Sequence, residues 1–175
     1  MTDEAKAREA FMTAVDRIYK GVDPKDVRVV TDGDVAVPGF LALEVVAEPP
    51  LRGWANEEVG VLARRQNFAP ILDALHFLDD ARSPTAAALA HQLAWLHGPP
   101  YTLEHKLAEG ELDAPEAMDL TPRRERRDDG AVVLTFALRD PGGDGEPECV
   151  FQYTIIGHGE DSYRIGTAQL APPVD

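Results

Sequence analysis

The sequence predicts an α+β fold, with a C-terminal antiparallel meander packed against N-terminal and central helices. Three observations carry this expectation. Residues 4–20 place Phe11, Ala14, Val15 and Ile18 at i, i+3, i+4 and i+7, the stripe of an amphipathic helix. Residues 56–97 repeat apolar side chains at helical spacing. From residue 131 onward apolar and polar residues alternate, and the turn segments between runs are too short for parallel crossovers. The 175 residues are read as one α+β domain, 1–175, long enough to bury a core without disulfides.

Gly21 and Pro24 mark the end of the first helix. Val27–Val30 reads as a strand, Thr31–Asp34 as a turn, and Val35–Val37 as a short strand. Phe40–Ala47 reads as the strongest early strand, with Leu41, Leu43, Val45 and Ala47 on one face, ended by Pro49 and Pro50. Val59 and Leu62 begin the first central helix. Pro70 restarts the pattern with Ile71, Leu72, Leu75 and Leu78. Ser83 before Pro84 is read as the cap of a third helix with Leu89, Leu93 and Leu96 buried, closed by Gly98, Pro99 and Pro100.

Tyr101, Leu103, His105 and Leu107 alternate with polar residues, which favours a strand over a helix. Asp113–Asp119 is an acidic connector. Leu120–Arg127 followed by Asp128-Asp129-Gly130 is a hairpin signal leading into a strand at 132–138. Strands at 149–156 and 163–170 follow, joined by Gly157-His158-Gly159, and the Pro-containing tail 171–175 is expected to fray. Helices followed by a curved meander resemble the nuclear-transport-factor-2-like cone. That resemblance rests on element order and implies a pocket between sheet and helices.

Charge narrows the partners. The chain has 31 acids against 17 bases, a net charge of −14. Such a surface repels phosphate backbones and anionic lipid, so neither nucleic acid nor membrane is expected as a partner. It suits solubility and a protein partner carrying a basic patch. A homo-oligomer is compatible with the same residues. The single cysteine, Cys149, excludes an intrachain disulfide. The first ten residues carry acids and no apolar run, so a cytoplasmic protein is expected. Thirteen arginines against four lysines suggest a GC-rich bacterial genome.

No catalytic, metal or cofactor pattern stands out. Ser83 and Ser162 lack a nucleophile elbow. Cys149 shares a strand face with Phe151 and Tyr153 and reads as a buried, inert thiol. His76, Asp79 and Asp80 share helical spacing, but a solvated helix end explains them better than a metal. The acids of 140–148 lack the order of a calcium loop, and Gly142-Gly143-x-Gly145 has no helix to follow it.

The binding candidates are therefore Trp95, His91 and Ala88 on one helix face, and Arg124 and Arg126 on one strand face. Trp95 lies well off the Leu89–Leu93–Leu96 stripe, one turn from His91, and tryptophan is enriched at contact hot spots. Arg124 and Arg126 belong to the one basic island, 123–127, where paired guanidiniums suit carboxylates or phosphates or guard a sheet edge. The function expected is an acidic binding module without chemistry of its own, of accessory, chaperone-like or inhibitory kind. The alternative is a pocket-bearing enzyme or ligand binder of the cone-like kind. It would use a His–carboxylate pair drawn from His91, His105 or His158.

Overall fold

Asp3 opens the first helix, α1 (Glu4–Asp16), by accepting the backbone N–H groups of Ala5 and Lys6. A computed structural model of the chain describes residues 1–47, 50–62, 69–98, 100–159 and 162–171. It is an α+β protein with antiparallel sheets. The chain divides into two compact units, Met1–Ile71 and Leu72–Asp175.

In the N-terminal unit α1 buries Ala7, Phe11 and Val15, one residue per turn along one stripe. It ends at Asp16, four residues before the expected limit. The amides of Ile18 and Tyr19 both converge on the carbonyl of Val15, which tightens the last turn and stops the helix. Four antiparallel strands follow: β1 (Val27–Val30), β2 (Leu41–Val45), β3 (Leu51–Ala55) and β4 (Gly60–Leu62), paired in chain order. Phe11 and Val15 pack with Val27, Leu43, Val45 and Ala55. Full burial of Phe11 alone contributes about 1.5–3 kcal/mol.

Two expectations fail in this unit for identifiable reasons. Val35–Val37 is not a strand, because Asp32 accepts the amide of Asp34 and turns Gly33–Val35 into a short 3-10 segment. Val35 and Val37 are buried all the same, and the Val35 carbonyl accepts the indole N–H of Trp54 at 2.9 Å. Val59 and Leu62 do not begin a helix. Asn56 accepts the amides of Glu58 and Val59, closing the hairpin that returns β3 into β4. A Cβ at Gly60 would run into the Ala10 carbonyl, so only glycine lets α1 cross β4 this closely. The rest of that expected helix, 63–68, and the stop at Pro49 lie outside the described residues.

Both faces of β2 are covered. Leu43 and Val45 face α1, while Glu44, 4% exposed, points the other way. It stands directly between Arg28 on β1 and Arg52 on β3, whose Nε atoms donate to its two oxygens at 2.9 and 2.6 Å. Burial is the largest influence on its carboxyl and pushes the pKa up. The hydrogen bonds and charges of Arg52 and Arg28 together outweigh it, holding the group below its ordinary 4.5.

The boundary between the units falls within α2 (Ala69–Ala74), where Ile71, Leu72 and, just beyond, Leu75 are buried. The next helix, α3 (Ala86–His97), is capped by Thr85, whose hydroxyl accepts the Ala88 amide, and not by Ser83. The chain enters the helix one residue past Pro84, so the cap shifts with it. Gly98, at φ +76°, ends α3 in a conformation that favours glycine. Pro99 lies outside the described residues.

The expected strand 101–107 breaks at His105 into β5 (Thr102–Glu104) and β6 (Lys106–Leu107). The Glu104 carboxylate bends back to accept the amides of both His105 and Lys106. β6 pairs with β7 (Met118–Asp119) in a small ribbon. β8 (Arg123–Arg126), β9 (Val132–Asp140), β10 (Cys149–Gly159) and β11 (Ser162–Ala171) complete the larger sheet. β9, β10 and β11 are consecutive antiparallel strands, as the alternation predicts. β5 and β8 share the other side of β9, at opposite ends of it. Gly157–Gly159 does not turn; it continues β10 through an irregularity in the pairing with β11. Residues 160–161 and the tail 172–175 lie outside the described residues. α3 packs on β5, β8 and β9 through Leu89, Ala90 and Leu93.

Glu44→Gln is expected to destabilise the chain by about 1–3 kcal/mol, the cost of weakening a buried charged hydrogen-bond set. The lowered pKa fixes the pH dependence. The contribution of Glu44 is complete above pH 4.5 and is lost as pH falls through the folded value. Urea midpoints of the two proteins should therefore converge in acid; a gap that widens there contradicts the arrangement.

Candidate functional site

Arg139, at the end of β9, gathers three carboxylates from three separate segments. Its Nε donates to Glu104 on β5 at 2.6 Å, Nη2 to Glu111 at 2.6 Å and Nη1 to Glu148 at 2.8 Å. Every donor edge of the guanidinium is engaged, which raises its pKa further. Glu111 belongs to a short 3-10 turn, Glu111–Asp113, and its second oxygen accepts the amide of Ala108. Glu148 closes the loop between β9 and β10. One cation thus fixes both acidic connectors, 108–114 and 140–148, to the same end of the sheet.

Beside this cluster lies an open groove of about 740 Å³. Glu104, His105, Lys106 and Leu107 form one side, and Ala117, Met118, Asp119 and Thr121 another. Its carboxylates are already held. For Glu104 burial is the largest influence and pushes the pKa up, but Arg139 and the amides of Lys106 and His105 together pull it below 4.5. Asp119 sits at about 2, held there first by Thr121 and then by Arg123. Acids lowered in this way are weak proton acceptors at neutral pH.

The α3 face singled out by the sequence leads to this groove. Ala88, His91 and Trp95 are all half-buried, spaced along the helix away from Leu89 and Leu93. The His91 ring lies 6.4 Å from that of His105, centroid to centroid, and His105 lines the groove. The structure therefore brings the helix face and the groove together through two histidines that the sequence keeps fourteen residues apart. His158 is exposed on β10.

Arg124 and Arg126 share a face of β8, as their alternation predicts, and both turn onto the segment 77–80. Arg124 donates from Nε to the Phe77 carbonyl at 3.1 Å, pairs with Asp80 at 3.0 Å and lies 5.6 Å above the Phe77 ring. Arg126 brackets Asp80 and donates to the carbonyls of Leu78 and Gly130. These arginines staple the turn after α2 to the sheet. His76, Asp79 and Asp80 lie beyond the end of α2 and so do not share the helix face their spacing suggests; Asp79 accepts Arg82 and Asp80 accepts both sheet arginines.

The sequence gives no hint of two further groups. His97, at the end of α3, lies between the rings of Tyr153 at 4.8 Å and Tyr101 at 5.8 Å, and Tyr153 stacks on Phe136. Burial lowers the His97 pKa and raises that of Tyr153. The hub residue Arg139 is the other. At sequence level it is an ordinary polar strand end, because its partners lie far away in the chain. Cys149 is 8% exposed, and burial followed by the charges of Asp140, Glu146 and Glu148 raises its pKa.

Arg124→Ala should lower stability by about 1–3 kcal/mol, because it strips a buried carbonyl of its donor. Arg126→Ala, with its side chain 41% exposed, should cost less. Equal melting temperatures for Arg124→Ala and the parent would contradict the staple. Cys149 in the native chain should react with a thiol reagent at least about tenfold more slowly than after denaturation, since little thiolate is present and access is blocked. Equal rates would place the thiol at the surface.

Comparison with family models, curated proteins and solved structures finds no match to this chain.

Proposed function

We propose that the chain is a non-enzymatic binding module whose C-terminal unit docks a partner protein that carries a basic patch. The observation that carries this reading is internal neutralisation. Residues 72–175 hold 19 acids and 8 bases. Five of those bases, Arg82, Arg123, Arg124, Arg126 and Arg139, pair with carboxylates of the same unit. Each pair takes up an acid with its base, so the unit's excess of acids, 19 against 8, is left to set a negative field in solvent.

The docking face assigned to this role begins at Ala88, His91 and Trp95. It crosses the His91–His105 contact into the groove of Glu104, Lys106 and Met118. The acidic connectors 108–114 and 140–148, fixed by Arg139, flank it. Trp95 supplies the aromatic anchor such faces use, and the flanking acids supply steering. A second reading, a small-ligand binder or enzyme built on His105 and Glu104, draws on the same groove. The hydrogen bonds already made by Glu104 favour the first.

A Trp54→Phe chain leaves Trp95 as the only tryptophan and makes its emission a reporter. Titration with extended peptides carrying lysine or arginine beside one aliphatic residue should shift that emission. Affinity should fall steeply between low and high salt, and acidic analogues should not bind. Trp95→Ala should weaken binding by about 2 kcal/mol or more, as hot-spot truncations do. Neutralising Glu109, Asp113, Glu116, Asp144 and Glu146, connector acids outside the Arg139 cluster, should slow association more than dissociation. Affinity indifferent to salt and to peptide charge would reject the reading.

A further inference from the structure

The larger sheet treats its two sides differently. One side of β9 is closed by β5 and β8, three and four residues long, and β8 carries Arg123, Glu125 and Arg126. Short, charged edge strands resist pairing with another chain. The opposite edge is β11, ten residues long, whose one charged residue is Arg164. Among the described residues β11 has a strand neighbour on one side only, β10. Arg164, Ile165, Gly166, Thr167 and Ala168 are exposed in succession, so both faces of the strand meet solvent there. Ile165 keeps 36% of its surface in solvent. No proline or lysine interrupts this stretch.

We propose that β11 is the seam of a homodimer, in which two copies pair antiparallel across a twofold axis at Gly166 or Thr167 and join their sheets into one. The occupant is argued from self-complementarity. Antiparallel pairing sets residues of like orientation opposite each other, so the axis must pass through a residue and not between two. With the axis at Gly166, Arg164 faces Ala168 of the second copy; with the axis at Thr167 it faces Leu170. In neither register do like charges oppose each other, and Ile165 gains a partner, Thr167 or Gln169. The two chains, each at −14, repel at long range. That repulsion is screened beyond about 8 Å at physiological ionic strength, whereas strand pairing acts at about 5 Å.

Sedimentation velocity of the full chain at 0.15 M salt should show a reversible monomer–dimer equilibrium. Ile165→Lys with Thr167→Lys places lysines opposite one another across the seam. It should raise the dimer dissociation constant at least about tenfold while leaving the unfolding midpoint, compared at a concentration where both chains are monomeric, within error of the parent. In a Cys149→Ser background, Gly166→Cys or Thr167→Cys should form an interchain disulfide on mild oxidation. A parent chain that stays monomeric at its highest soluble concentration overturns the proposal. So does a dimer that survives the double-lysine change, or one in which neither new cysteine cross-links.

Discussion

The surface of the C-terminal unit depends on one guanidinium. Arg139 sits where β9 ends and where β5, the 3-10 turn at Glu111–Asp113 and the loop before β10 converge. Left to themselves, Glu104, Glu111 and Glu148 would repel each other, and two of the three lie in the connectors between strands. A planar cation with donors on every edge turns that repulsion into geometry. A lysine at the same place has no fork to match three carboxylates and could not orient them.

The consequences spread outward from that point. Because Glu104 is fixed, the chain bends at His105 and β6 leaves the main sheet to pair with β7, which forms the groove. Because Glu111 is fixed, its other oxygen holds the Ala108 amide and shapes the connector. Leu107, Leu120, Ala137 and Val150 then close a small core beneath the ribbon. The N-terminal unit uses the reverse arrangement, one carboxylate between two arginines, to settle a charge on the covered face of β2. In both units the ion pairs fix position, and the acids left outside them set the external field.

Much of the fold was legible because it rests on local periodicity. The α1 stripe and the alternation of β9, β10 and β11 predict their elements within a few residues. The misreadings share a cause. Val59 and Leu62 mimic helical spacing across what is a hairpin, and the deciding residue, Gly60, matters only because α1 lies above it. Ser83 before Pro84 looks like a cap, but Thr85 holds the amide. The candidate site was legible in part. Helix geometry alone places Trp95, His91 and Ala88 together off the leucine stripe. It cannot bring His105 to them or Arg139 to Glu104, Glu111 and Glu148, since those meetings depend on strand pairing across distant segments. Arg124 and Arg126 were visible as a pair; their use on the turn at 77–80 was not, because that turn is 44 or more residues away.

Hydrogen exchange in an Arg139→Met chain tests the central claim directly. Methionine keeps much of the bulk and removes all the donors. The amides of His105, Lys106, Ala108 and Gly110, each held by a carboxylate or by the turn that Glu111 shapes, should lose protection, while those shared by β9 and β10 keep theirs. Unchanged protection across 105–114 would show that the connectors hold their place without Arg139, and would contradict the account.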